Sequence, residues 1–253
     1  MLINIIWEDF LLVGIGFFAG IINTLAGGGS LFTLPLLIFL GLPPSVANGT
    51  NRIAIVVQSF SGALGYRSKG VSTYPFPLYL GFSASIGALL GAQIALEVDG
   101  SIFNRILAVI MLIVGGLILI KRKSLLASLP ERLSGQYLFY AILGFFLIGV
   151  YGGFINAGIG IVIMLFLNRL NRLSLVKTNA TKVVVVFIYS TVALLLFAYH
   201  GAVNWKLGSL IAFGTFFGAW WASRWSVKKG DRVIRIAMLI TLFILSIKLW
   251  FFE

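Results

Sequence analysis

An all-α polytopic membrane protein is the architecture this sequence points to. It consists of two inverted-topology repeats, each a broken, re-entrant helical hairpin followed by three transmembrane helices. Composition is the first observation behind this expectation: 60% of the 253 residues are hydrophobic, 10% are charged and the mean hydropathy is +1.05, far from a soluble domain. The second is run length, since several apolar stretches reach the roughly 20 residues a helix needs to cross a hydrocarbon core. They lack the alternation of a barrel strand, so helices must satisfy the backbone in lipid. The third observation is that the chain contains itself twice.

Gly16, Gly20, Asn23 and Ala26-Gly27-Gly28-Gly29 are answered by Gly149, Gly153, Asn156 and Ala157-Gly158-Ile159-Gly160. Further on, Asn48-Gly49-Thr50-Asn51 is answered by Asn179-Ala180-Thr181-Lys182, and Lys69-Gly70-Val71 by His200-Gly201-Ala202. Gly87 and Gly91 find counterparts in Gly214 and Gly218, and Arg105-Ile106 in Arg235-Ile236. The order is kept throughout, at an offset of about 127 to 133 residues. Two halves with glycine-broken apolar segments at matching places are the sequence mark of a secondary transporter and its binding site.

Taken in order, the apolar segments run 10–42, 53–66, 76–97, 103–120, 137–168, 183–199, 207–223 and 236–252. The N-terminus has no basic stretch and no small-residue cleavage site, so the first segment is expected to remain in the mature protein. Segments 10–42 and 137–168 are both too long for one ordinary span, and each is interrupted by glycines. Each is therefore one tilted helix or a hairpin with both ends on one side, and the basic residues discriminate between the two. Single crossings divide the 19 basic residues 11 to 8; hairpins divide them 15 to 4. The positive-inside rule selects the hairpins, with both termini outside. Each half then crosses an odd number of times, so the halves enter the membrane in opposite orientation. The first repeat covers 1–123, a polar linker 124–136 and the second repeat 137–253. Gly87-xxx-Gly91 and Gly214-xxx-Gly218 are expected to let helices pack closely, and Trp205, Trp220, Trp221, Trp225 and Trp250 to anchor segment ends at the interface.

The net charge of +12 follows from basic residues beside hydrophobic segments, which is topology rather than a nucleic-acid-reading face. There is no cysteine and one histidine, His200, so thiol chemistry and a histidine-rich metal site within one chain are excluded. No enzyme motif is present; Gly27-Gly28-Gly29-Ser30 lacks the lysine of a phosphate-binding loop. The seven carboxylates lie near segment ends or in loops, which speaks against an intramembrane acid relay. No cofactor and no metal are implied.

Candidate binding residues gather at the glycine breaks. Glycine lets the chain leave helical geometry and bring bare amides to a solute, and a restarting helix presents unsatisfied N–H groups with a partial positive charge, a cradle for an oxyanion. Asn23, Gly27, Gly28, Gly29 and Ser30 form the first such tip; Asn156, Gly158 and Gly160 form the second. The bland alternative is that the asparagines cap broken helices and the glycines pack. Asn48, Thr50, Asn51 and Arg52, with Asn179, Thr181 and Lys182, open the following apolar segments. They are either N-caps or, because cations inside a membrane usually face a cavity or a partner, amide, hydroxyl and charged ligands of an anion.

The run from Ala19-Gly20 through Ala26-Gly27-Gly28-Gly29-Ser30, then Pro35 and Ala47-Asn48-Gly49-Thr50-Asn51-Arg52, resembles the TauE/SafE (sulfite exporter TauE) permease family. Gly153-Phe-Ile-Asn156-Ala-Gly158-Ile-Gly160 and Lys177-Thr-Asn179-Ala-Thr181-Lys182 match its weaker companion motif. The resemblance covers nearly the whole chain. It implies a multi-pass plasma-membrane permease for small sulfur-containing anions such as sulfite or organosulfonates. The expectation is thus a carrier working by alternating access, its anion near the midplane, with the lipid bilayer and a small anion as partners and a homodimer left open. An anion channel and a non-transporting membrane scaffold or assembly protein are the alternatives. The tips differ, Gly-Gly-Gly-Ser against Gly-Ile-Gly-Ile, and the first is the better candidate for ligand contact.

Overall fold

The computed structural model describes residues 2–119 and 130–229; the last apolar segment, Trp250 and Lys121-Arg122-Lys123 lie outside them. Among the described residues the chain is all-helical. The helices are α1 (Leu2–Leu25), α2 (Ser30–Phe39), α3 (Pro44–Arg67), α4 (Phe76–Glu97), α5 (Gly100–Leu119), α6 (Gly135–Phe154), α7 (Ile159–Leu170), α8 (Leu175–Tyr199) and α9 (Trp205–Lys229). Helices α4, α6 and α8 are each long and apolar enough to cross a membrane, while the described part of α1 from Asp9, α2 and α7 are shorter apolar helices.

Both over-long segments are broken where glycine permits. Helix α1 closes with the Ala26 amide on the Ile22 carbonyl and the Gly27 amide shared between Ile22 and Asn23. Gly27 stands at φ 82°, a left-handed conformation that favours glycine. The second break has the same logic in a different order. Helix α6 ends at Phe154, Ile155 is extended, and Gly158 at φ 71° starts α7. The ends of the second broken segment lie together: the Arg132 amide donates to the Asn171 carbonyl (3.0 Å) and Asn171 Nδ2 donates to the Arg132 carbonyl (2.7 Å).

Helices α3 and α8 begin earlier than the apolar pattern suggests. Helix α3 opens behind Pro43 with Pro44 in its first turn, where a missing N–H costs nothing. Helix α8 opens behind Ser174, whose hydroxyl accepts from the Lys177 amide. The clusters Asn48–Arg52 and Asn179–Lys182 are therefore helix interior, and the N-cap alternative does not hold for them. A hydropathy reading starts these segments late because it treats polar side chains as ends, whereas here the bundle supplies partners for them.

Packing joins the front of the chain to its back. Helix α1 lies along α9, α4 lies along α6, and α3 and α8 run through the middle against each other and against α9 and α4. Two seams are built alike from glycine. In the α4–α6 seam a Cβ on Gly87 or Gly91 would strike the Phe146 and Val150 carbonyls, and one on Gly149 or Gly153 the Ala84 and Ala88 carbonyls. In the α1–α9 seam Gly214 and Gly218 abut Val13 and Phe17, and Gly16 and Gly20 abut Ile211 and Thr215. Only hydrogen on Cα permits this approach. The repeated glycines at 16, 20, 149 and 153 are thus seam residues.

Candidate functional site

The two breaks meet. Gly27 and Gly160 touch backbone to backbone, so closely that a Cβ on either would overlap the other's Cα. Gly29, just before α2, is held as closely against the Ala19 carbonyl of α1. At the start of α2 the Leu31 and Phe32 amides donate to the Gly28 and Gly29 carbonyls, and at the start of α7 the Ile161 amide donates to the Gly158 carbonyl, so tight turns satisfy part of each helix's first turn. Asn156 and Ala157, between the second pair of helices, are buried. The Tyr189 hydroxyl donates to Asn156 Oδ1 (2.6 Å), and the Tyr151 hydroxyl donates to the Ala157 carbonyl (2.5 Å).

A broken helix leaves its last carbonyls without donors, and in a membrane these cannot turn to water. The polar clusters of α3 and α8 supply the donors, each for the opposite half of the chain. From α8, Lys182 Nζ donates to the carbonyls of Asn23 (3.0 Å) and Thr24 (2.9 Å), and Asn179 Nδ2 to that of Leu25 (3.0 Å). From α3, Arg52 Nη2 donates to the carbonyl of Gly153 (2.6 Å), and Asn48 Nδ2 to that of Phe154 (2.8 Å). Each broken helix therefore ends on a cation and an amide, and a cation there is favourable by up to about 2 kcal/mol in partly buried settings. The threonines of the same clusters instead bond the connections between helices. Thr50 Oγ1 accepts from the Asn204 amide (2.8 Å), and Thr181 Oγ1 shares a hydrogen bond with Thr73 Oγ1 (2.7 Å).

Several buried groups keep free valences. Arg52 is fully buried, with its guanidinium 5.5 Å from the centre of the Phe197 ring, yet Nε and Nη1 have no hydrogen-bond partner. Ser30 Oγ and Asn51 Nδ2 are likewise buried and unpartnered. Asn51 Oδ1 accepts from Thr33 Oγ1 (2.7 Å). An unmatched polar group in such a setting costs about 1–3 kcal/mol, so this concentration around the breaks calls for a reason.

Beside the break contact lies a small cavity of about 10 Å³, the size at which a cavity holds one water. Asn23, Thr24, Gln58, Ser59, Asn156, Ile159, Gly160, Lys182, Val183 and Val186 line it. Of the residues expected from sequence, Asn23, Asn156, Gly160 and Lys182 are brought together on this cavity. Gly27 forms the contact behind it. Gly28, Gly29, Ser30, Asn48, Thr50, Asn51, Arg52, Gly158, Asn179 and Thr181 do not line it. Thr24, Gln58 and Ser59 were missed. Their signal lay in the repeat: Gln58-Ser59 stands seven residues after Asn51-Arg52, on the same helical face. It is answered by Tyr189-Ser190 at the offset that relates Asn48 to Asn179. No described Asp or Glu is among the buried residues, and His200 is exposed at the end of α8, its Nδ1 2.9 Å from the Leu196 carbonyl.

The family model for the sulfite exporter TauE/SafE matches residues 12–249. A probable membrane transporter protein, ORF9, of Sinorhizobium sp is 30% identical over 233 residues, covering 92% of this chain and 88% of that protein. The probable membrane transporter protein YfcA of Escherichia coli strain K12 is 30% identical over 244 residues, covering 94% and 90%. A probable membrane transporter protein of Haemophilus influenzae is 29% identical over 235 residues, covering 93% and 91%. No solved structure matches the chain.

Proposed function

Because the chain belongs to the TauE/SafE family of membrane transporters, we propose that it carries small sulfur-containing anions, sulfite or organosulfonates, by alternating access between two inverted repeats. The observation that carries this reading is the polar cavity at the meeting of the two breaks, with the Lys182 ammonium on its wall. A cavity of about 10 Å³ is too small for a sulfite, so the present arrangement is a closed one and the halves part to admit the anion. Lys182 and Asn179 bind the end of α1, Arg52 and Asn48 the end of α6, and in both cases the bond runs between halves. Opening on one side loosens one of these sets and frees its cation. An anion is a stronger acceptor for an ammonium or guanidinium than a backbone carbonyl, so it takes over the donor as the carbonyl leaves. Arg52 Nε and Nη1 and Ser30 Oγ, unpartnered in the closed form, are further donors for it. The first N–H groups of the two helices, those of Ser30, Ile159 and Gly160, complete an oxyanion cradle.

The test is radiolabelled sulfite flux in proteoliposomes. Wild type is expected to show saturable uptake with counterflow, which a channel does not show. Lys182→Ala and Arg52→Ala are each expected to abolish most of it. Wild-type flux in both variants would remove the charge assignment, and flux without counterflow would replace the carrier with a channel.

A further inference from the structure

A second concave site lies at the opposite end of α9 from Trp205, away from the cavity described above and sharing no residue with it. It is a groove of about 230 Å³ lined by Lys69, Trp220, Trp221, Arg224, Trp225 and Lys228. The fold brings these together: α3 and α9 run side by side with the Ser226 hydroxyl donating to the Tyr66 hydroxyl (3.1 Å), which places Lys69, just past α3, beside the last turns of α9. The indoles of Trp221 and Trp225 stack at 5.1 Å and 16°, and the Arg224 guanidinium sits 5.1 Å from the centre of the Trp220 ring. Among the described residues the three cations have no carboxylate partner; the described ion pairs are Lys177 with Glu131 and Lys206 with Asp9. Three cations with no carboxylate partner among the described residues thus share one wall with three large amphipathic rings, and Trp221 remains 48% exposed.

We infer that this groove holds the phosphate of an anionic phospholipid headgroup, with the acyl chains running up the Trp221 and Trp225 face. The charges select the phosphate, and stacked indoles at a helix end belong to the headgroup boundary. Arg224, fixed over Trp220 by the ring, keeps its N–H edge for two parallel bonds to phosphate oxygens. A soluble anion would need the cations but not the aromatic wall. The groove lies at the end carrying Arg67, Lys69, Arg224 and Lys228, the side on which the basic residues collect.

The experiment is a thermal-shift titration of the full chain in neutral detergent with dioleoyl-phosphatidylglycerol, dioleoyl-phosphatidylcholine and glycerophosphate. Phosphatidylglycerol is expected to raise Tm saturably, and the other two to leave it unchanged. Arg224→Gln with Lys228→Gln is expected to weaken the response about 25-fold in half-saturating concentration, roughly fivefold for each basic residue. Arg224→Lys with Lys228→Arg, which keeps both charges but loses the fork at 224, is expected to weaken the response less than the glutamine pair does, and Lys206→Gln, at the other end of α9, is expected to leave it unchanged. A helical circular dichroism spectrum equal to wild type shows that the glutamine variant is folded. An undiminished response in that folded variant overturns the site. An equal response to glycerophosphate overturns the lipid and leaves a soluble-anion site. Sulfite flux is read separately, so loss of the lipid response with intact flux supports this site and leaves the transport reading untouched.

Discussion

Arg52 and Lys182 change meaning most between sequence and structure. In the sequence each is a cation in a membrane segment, which calls for a cavity or a partner. The structure gives each a partner, the carbonyl end of a broken helix in the other half, and leaves two guanidinium nitrogens of Arg52, Nε and Nη1, without one. Helix termination and anion binding are compatible tasks, because a carbonyl is a weak competitor for an ionised donor. The glycines at the break have less freedom. Gly27→Ala and Gly160→Ala each place a methyl inside the opposing backbone. Each is expected to destabilise by about 1–3 kcal/mol, as overpacking does, read as a lower Tm in detergent; at Gly27 the positive φ adds strain. The sequence marked these glycines as places where the helix stops, and the structure adds that they are where the two stops touch.

Among the helices, the glycine seams separate packing from permissiveness. Gly14 and Gly16 stand two residues apart, on opposite faces of α1, and a Cβ on Gly14 meets nothing within 4 Å while one on Gly16 meets the Ile211 carbonyl. Gly14→Ala is therefore expected to stabilise by about 0.5–1 kcal/mol, the ordinary helix gain over glycine. Gly16→Ala is expected to destabilise, opening the α1–α9 seam, and a common Tm shift in both variants would contradict this assignment. The polar clusters show why segment starts were misplaced. Hydropathy sees Asn48 to Arg52 as loop-like, but all five residues are buried, and the four with polar side chains are matched, wholly or in part, by groups on α2, α6 and the α8–α9 connection. No single-segment property encodes a partner about a hundred residues away. Gln58 and Ser59 escaped for a related reason, since two polar residues in an apolar run carry weight only once their helical face is known to line a cavity.

For the molecule as a unit, the interactions that fasten the two halves are the ones the proposed alternating-access carrier would have to release. Thr73 and Thr181 stand in different halves, with their hydroxyl oxygens 2.7 Å apart, and the chain has no native cysteine. The pair Thr73→Cys and Thr181→Cys is expected to crosslink under mild oxidation and to stop sulfite flux, with reductant restoring it. Full flux in a quantitatively crosslinked sample would mean that this contact does not open during transport. The membrane character, the helical class, the two broken segments and the pairing of their motifs were all legible from residue order, because hydropathy, glycine and repetition are local or periodic properties of a chain. Which polar groups face the cavity and which hold a carbonyl was decided by tertiary structure alone. That depends on α8 reaching the end of α1 and α3 the end of α6, and a donor's partner is fixed by distance in space, which spacing along the sequence does not contain.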